Sequence, residues 1–416
     1  MIDELITAAI AAANPDIAIR RYLHRDGDIL KIEDRQYDLS SGDVRCLAVG
    51  KASVPMAQAV ADLLGDKIRV GLVVTKHEHL GEAKFPPGWV AMETGHPHPD
   101  DRSLAAGDRI WNFLADCTPD TLIIACISGG ASALVAAPRS WSALEELLLN
   151  GDQSAMIQAA LTAQNIDISQ GEQISLAALQ AINTALLSSG LPIEEINLVR
   201  AKLDQLKAGG LVTRAQPGQV IGLILSDVIG DPVAFIASGL TNHPQAHNTL
   251  VGNNRQSCLA VAETAKNLGY DVEIVTTELA GEAAERGREI ARAIVGRSPK
   301  TVLIYGGETT VTFESDCAGK GGRNQELALA AAIELSTQTV PAWVVTIATD
   351  GTDGPTDAAG ATVNEQTIAR SILLGLDGKL ALDRHDSYPF FQQLGDLHLI
   401  GATGTNVADI AIAIRL

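Results

Sequence analysis

The sequence predicts an α/β protein built on doubly wound, mostly parallel sheet. Three observations predict it. Short apolar runs recur along the chain, each run ends in a glycine or Asp/Ser turn, and each turn leads into a helical stretch. Runs that are apolar throughout, rather than alternating, suit strands covered on both faces, which is the habit of parallel sheet.

The elements follow in order. "MIDELITAAIAAANPD" reads as an amphipathic surface helix. Asp3 and Glu4 stand where a secretory leader would carry positive charge, so a cytoplasmic protein is expected. "VRCLAVGKASVPMAQAVADLL" gives a strand to Val49, a turn at Gly50 and a helix from about Ser53. "TLIIACISGGASALV" repeats that pattern. Asn150 to Gln173 reads as an added helix and loop, expected to pack outside both cores. "PIEEINLVRAKLDQLKAGGL" predicts a helix from Pro192 with an apolar stripe of Ile196, Val199, Leu203 and Leu206. Beside it runs a polar stripe of Asn197, Arg200, Asp204 and Lys207. "QVIGLILSDVIGDP" is a strand ending at Ser226 and Asp227. The polar "TNHPQAH" marks a boundary that divides the chain into domains 1–243 and 244–416. Beyond it, "HNTLVGNNRQSCLAVAETAKNLGYDVEIVTT" reads as strand, turn, helix, strand, and "KTVLIYGGE" and "AWVVTIATDGTDGPTDAAG" add two more strands.

Composition narrows the function. A chain of 416 residues suits two domains. Its formal charge of −19 argues against general nucleic-acid binding. An anionic substrate would therefore need a local cation cluster to overcome the field of the whole protein. No apolar run is long enough to span a membrane. The five cysteines show no CxxC spacing and read as free, mostly buried thiols.

In open α/β sheets the loops leaving the carboxyl ends of strands line the ligand crevice, and the chemistry-bearing segments fall there. Lys51 follows a strand at a helix start, where an ammonium favours phosphate or carboxylate; the plain reading is a solvated lysine. "SGGAS", Ser128 to Ser132, offers glycine amides and two hydroxyls as an anion cradle, or only a tight turn. Arg200 and Asn197 could hold a small acid or form a solvated helix face. "SDVIGDP" with Asp227 and Asp231, and "TDGTDGPTDAAG" with Asp350, Asp353 and Asp357, suit Mg²⁺ or ordinary turns. His96 and His98 lie between prolines, and a rigid extended loop is favoured over a zinc pair. Neither GxGxxG nor GxxxxGK[ST] occurs.

Ten ordered blocks, "AVGKAS", "TGHPHPD", "ISGGASALV", "IEEINLVRAKL", "LSDVIGDP", "IASGLT", "GGETTV", "GGRNQELALA", "TDGTDGPTDAAGA" and "TGTNVAD", span nearly the whole chain. Together they resemble the glycerate 2-kinases of the MOFRL type, some relatives of which are labelled hydroxypyruvate reductases. The resemblance implies a Rossmann-like N-terminal domain, a MOFRL-type C-terminal domain and an active site in the cleft between them. It implies ATP- and Mg²⁺-dependent phosphorylation of D-glycerate at its 2-hydroxyl, with a nicotinamide-dependent reductase as the alternative. A homodimer is compatible with it. Lys51 and Arg323 match the family's catalytic lysine and arginine. Set beside that resemblance, the residues themselves make Ser128, Gly129, Gly130, Ser132, Asn197, Arg200, Gly306, Gly307, Glu308, Thr309, Asn324, Asp350 and Asp353 the substrate- and nucleotide-binding candidates, with Asp227 and Asp350 as metal candidates. The chain departs from the pattern at Ala131, at His98 and in "KAGGL".

Overall fold

The computed structural model describes residues 1–40, 42–150, 153–166, 173–313 and 319–416. Cys317 and parts of the 150–173 segment, residues 151–152 and 167–172, lie outside these. Fourteen strands are described: β1 (Leu23–Asp26), β2 (Ile29–Ile32), β3 (Arg35–Asp38), β4 (Val44–Val49), β5 (Ile68–Lys76), β6 (Val90–Thr94), β7 (Leu122–Ile127), β8 (Gln219–Leu225), β9 (Ala246–Gly252), β10 (Asp271–Leu279), β11 (Thr301–Gly307), β12 (Ala342–Ala348), β13 (Thr362–Asn364) and β14 (Asp409–Arg415).

One compact unit comprises residues 18–226 and 231–251. Its six-stranded sheet has the order β6-β5-β4-β7-β8-β9, with β6 to β8 all parallel. Numbered from its own first strand this is the doubly wound order 3-2-1-4-5-6. The order reverses between β4 and β7, both buried along their whole length. Both predicted strand-turn-helix units therefore open at one switch point. A small antiparallel meander, β1 to β3, precedes the sheet. Its four-residue strands alternate too briefly to announce themselves in the sequence.

The same unit holds a helical cluster with Trp141, Leu144, Ile157, Leu161, Ile182, Leu186, Val199 and Leu203 buried together. Ile157 and Leu161 belong to the helix Ser154–Ala163. The expectation that Asn150–Gln173 packs outside both cores is thus corrected. Its described helix buries Ile157 and Leu161 in this helical cluster and leaves Ala155 and Ala159 exposed, so it is part of the unit's apolar packing and not a purely external addition. The helix from Pro192 ends at Leu203, with Asp204 already extended. Asp204 and Lys207 accordingly lie beyond it and not on a helical stripe. The Asp204 carboxylate accepts from the amides of Ala137, Leu206 and Lys207 and pairs with the Lys207 ammonium at 3.3 Å.

The second unit comprises residues 1–17, 227–230 and 252–416. Its sheet has the order β10-β11-β14-β12-β13. β10 and β11 are parallel, but β14 runs antiparallel to both of its neighbours, so this sheet is mixed. Alternation along β14 divides the core. Ile410, Ile412 and Ile414 pack on one face with Leu5, Ile6 and Val261, while Ala411 and Ala413 pack on the other with Leu327, Ala328 and Ala331. The small face lets helices sit close.

These units do not coincide with 1–243 and 244–416. β9 completes the first sheet although it lies beyond residue 243, beginning at Ala246 inside "TNHPQAH", and the helix Ile2–Ala12 belongs to the second unit. The predicted strand-helix-strand from His247 consequently places its two strands in different sheets. Local polarity marked a loop, but hydrogen-bond partners and an apolar helix face decided membership.

Candidate functional site

In the first unit, the turn after β4 and the turn after β7 are stitched together. The Lys51 amide donates to the Gly129 carbonyl at 2.9 Å, and the Ala52 amide donates to Ser128 Oγ at 3.1 Å. Gly130 adopts φ +86°, in the left-handed region. A Cβ there would stand 3.1 Å from Lys51 Cγ and 3.3 Å from His96 Nε2. The bare glycine thus keeps open a space flanked by an ammonium-bearing stem and an imidazole edge. Among the described residues, neither the Lys51 ammonium nor the His96 ring has a hydrogen-bond or ion-pair partner. Burial lowers the His96 pKa to about 4, and Lys51, Lys76, His79 and His98 push it the same way.

Further around this site, Ser132 Oγ lies 2.7 Å from Ser238 Oγ, which donates to Asn197 Oδ1 at 3.5 Å. Arg200 Nε donates to Asn183 Oδ1 at 2.9 Å and Nη1 to Asn197 Oδ1 at 3.5 Å. Only amides hold this guanidinium, which has no carboxylate partner among the described residues, and burial lowers its pKa. A mostly buried arginine without a counter-ion suits an anionic ligand. So Ser132, Asn197 and Arg200 come together, through a residue the sequence reading did not select. Ser238 was legible only as part of "IASGLT"; its φ of +54° is a tertiary feature.

The second unit gathers a different set. β14 starts at Asp409, which pairs with Gly307 of β11 on one side and Ala348 of β12 on the other. The residues after those strands, Glu308 and the Thr349–Asp350 turn, therefore stand at one end of the sheet with Asp409 between them. Arg323 opens the helix Arg323–Leu335 there. Its Nε and Nη2 donate to both Asp409 oxygens, at 2.5 and 3.2 Å, and its Nη1 lies 2.7 Å from Glu308 Oε1. Burial raises Asp409 to about 6 despite that guanidinium, while the carboxylates hold Arg323 above its ordinary value. Asp353 is buried and accepts from the amides of Asn324 and Gln325 at 3.0 and 2.8 Å, capping the same helix. Burial raises it also to about 6. Its oxygens are occupied by the protein, contrary to the expectation that it faces a ligand. Gly322 permits this approach, since a Cβ would fall 2.3 Å from Asp353 Cγ.

On their Cβ side Gly306 and Gly307 pack against protein: Cβ atoms there would meet Asn254 Oδ1 and the Leu279 backbone. Thr309 and Asn324 are buried. Asp350 Oδ1 closes a turn by accepting from the Thr352 amide at 3.0 Å. Asp227 belongs to the short 227–230 segment of this unit. A cavity of about 560 Å³ is lined by Glu308, Thr309, Phe313, Gly322, Arg323 and His385 among others. His385 Nδ1 lies 2.9 Å from Glu326 Oε2, and its ring meets Phe313 edge-on. Neither Asp409 nor His385 was selected from the sequence as a site residue; Asp409 was present only at the end of "TGTNVAD".

Among the described residues no three His, Cys, Asp or Glu side chains form a metal cluster. The four described cysteines, Cys46, Cys117, Cys126 and Cys258, are free. No described helix is long and apolar enough to cross a membrane.

Comparison with known proteins assigns the whole chain. Residues 1–253 match the family described as domain of unknown function DUF4147, and residues 301–409 match the MOFRL family. A glycerate 2-kinase of Pyrococcus horikoshii is 33% identical, over 99% of this chain and 96% of its own. A putative hydroxypyruvate reductase of Agrobacterium vitis is 34% identical, over 88% of this chain and 98% of its own. The crystal structure of glycerate kinase from Thermotoga maritima superposes with a TM-score of 0.82 at 31% identity, covering 99% of this chain and 98% of that one. With both segments matched in order, and the doubly wound sheet and the second sheet present, the chain belongs to the DUF4147–MOFRL glycerate kinase family, a family of phosphotransferases.

Proposed function

We propose that this protein transfers the γ-phosphoryl group of ATP to the 2-hydroxyl of D-glycerate, giving 2-phosphoglycerate. The observation that carries the reading is the pair of uncompensated cations in the first unit. Lys51 and Arg200 lack carboxylate partners among the described residues of a chain with formal charge −19. For the mostly buried Arg200 such a charge is costly to maintain unless an anion completes it. The fork of Arg200 matches the glycerate carboxylate. The Lys51 ammonium, beside the Ser128–Gly130 turn, is suited to the oxygens of the transferring phosphoryl group. Phosphoryl transfer needs positioning and charge neutralisation more than covalent help, and these groups supply both.

The second unit offers what a nucleotide's metal requires. Mg²⁺ takes one or two carboxylates and completes its shell with phosphates and water. Glu308 and Asp350, neither of them buried, follow strands on either side of β14 and fit that donor set; Asp227 is a further candidate. Bound there, the ion would neutralise phosphate charge. Arg323, held by Asp409, keeps its Nη1 on Glu308 near the cavity and would meet a phosphate oxygen there.

The test offers ATP, Mg²⁺ and D-glycerate, and follows product by phosphorus NMR. A new monoester resonance at the 2-position is expected. The Agrobacterium relative's name motivates a parallel arm with hydroxypyruvate and NADH. Cofactor oxidation in that arm, without phosphoester in the first, would overturn the kinase reading.

A further inference from the structure

We propose that His96 is a catalytic residue that accepts the proton of the substrate hydroxyl; this rests on the kinase reading above. Several observations converge on it. The Nε2–Cδ2 edge of His96 and the Lys51 stem face the same space over Gly130, each within 3.3 Å of the point a Cβ would occupy. That space lies at the switch point between β4 and β7, where ligands of doubly wound sheets bind. The ring has no protein partner among the described residues, so its lone pair is available.

The loop that carries it is also pinned. Asp100 caps the helix Asp101–Phe113 through Ser103, and its other oxygen lies 2.9 Å from His77 Nε2. Gly95 packs against the Asp100 side chain, where a Cβ would stand 2.9 Å from its Cγ. His96 is therefore positioned by its neighbours without being consumed by them.

The groups that act most on the charge of His96 are cationic or neutral. They are Lys51 after β4, Lys76 and His79 at the end of β5, and His98 on its own loop. Asp100, the carboxylate further along the same loop, is engaged by His77. This environment keeps the imidazole unprotonated at neutral pH, the form a base requires. In the tautomer with hydrogen on Nδ1, Nε2 receives the proton. The 2-oxygen lone pair forms the new O–P bond, the bond between the γ-phosphorus and the β,γ-bridging oxygen breaks with its electrons leaving on ADP, and the hydroxyl proton passes to His96 Nε2. The dianionic phosphoester formed alongside favours that proton, which later returns to solvent.

Chemical rescue of His96→Ala, assayed by ADP release with saturating D-glycerate and ATP, tests the proposal. We expect kcat to fall about 10²-fold, the KM for glycerate to move far less, the melting temperature to hold, and added imidazole to restore part of the rate. His96→Gln, which fills the site but cannot take a proton, should stay slow with or without imidazole. A His96→Ala enzyme with near-normal kcat, or a slow one that imidazole does not help, overturns the assignment. Should the alanine variant not fold, normal turnover by His96→Gln overturns it equally, and slow turnover by a folded His96→Gln with an unmoved KM supports it. A wild type that makes no phosphoester overturns the kinase reading and this role together. An active wild type with indifferent variants removes His96 alone.

Discussion

Lys51 and Arg323 occupy the same kind of place, just past a turn at the start of a helix beside the carboxyl end of a strand, yet their surroundings differ. The Lys51 ammonium has no partner among the described residues, whereas three guanidinium nitrogens of Arg323 meet two carboxylates. The two sheets explain the contrast. Around Lys51 the strands are parallel, so only strand exits gather there, bringing glycines and hydroxyls. Around Arg323 the antiparallel β14 brings a strand start to the same edge, and that start is Asp409. The reversed strand thus supplies one of the two carboxylates that compensate Arg323, and Glu308 after β11 supplies the other.

The largest effect should come from the open site. Lys51→Ala should lower kcat by about 10²–10³-fold, the scale of one removed transition-state donor, and leave the melting temperature nearly unchanged because no hydrogen bond or ion pair of its side chain is lost. A folded variant with normal kcat would remove Lys51 from the reaction, and a large loss of stability would break the contrast itself.

At the compensated site the order reverses. Asp409→Ala leaves a guanidinium with only Glu308 and should cost about 2–3 kcal/mol of stability. That is below the full cost of breaking a buried pair because the Arg323 side chain is 33% exposed. Arg323→Lys keeps the charge but not the fork, and should cost less. Urea titration of both variants measures this; an unchanged midpoint for Asp409→Ala would mean that the pair does no structural work.

The smallest effect is a difference in pH slope. Asp409 and Asp353 have folded pKa values of about 6, above the ordinary value near 3.9. Their contribution is fully present below about pH 4 and is lost as pH rises through about 6. His96 is shifted down to about 4 from its ordinary value near 6.5, so its contribution is present above about pH 6.5 and is lost as pH falls through about 4. Asp409→Asn should therefore flatten the loss of stability on going up from pH 4 to 7, and His96→Gln the loss on going down, each on the order of 1 kcal/mol. Identical pH profiles for wild type and both variants would remove the distinction.

The first site was more legible in the sequence than the second. "VRCLAVGK" and "TLIIACISGG" are each continuous, and the helices behind them follow at once, so local pattern placed Lys51 and Ser128 at strand exits. Nothing local linked Arg323 to Asp409, which lie 86 residues apart. "DIAIAIRL" alternates isoleucine with alanine, and that pattern carries no sign of strand direction. Asp353 read as a ligand because it sits among glycines and threonines. Its burial beneath the Arg323 helix depends on Gly322, 31 positions earlier.

Hydrophobic run length, turn residues and ordered motifs are properties of neighbouring residues. The sequence by itself therefore determined the α/β class, the strand-turn-helix units, the free state of the four described cysteines and the family. Pairing partners, strand direction and the membership of Ile2–Ala12 and β9 are set by contacts between distant segments. Only the tertiary structure could decide which cation is left open and which is neutralised, because desolvation and charge pairing depend on what is brought within a few ångströms, not on what stands next in the chain.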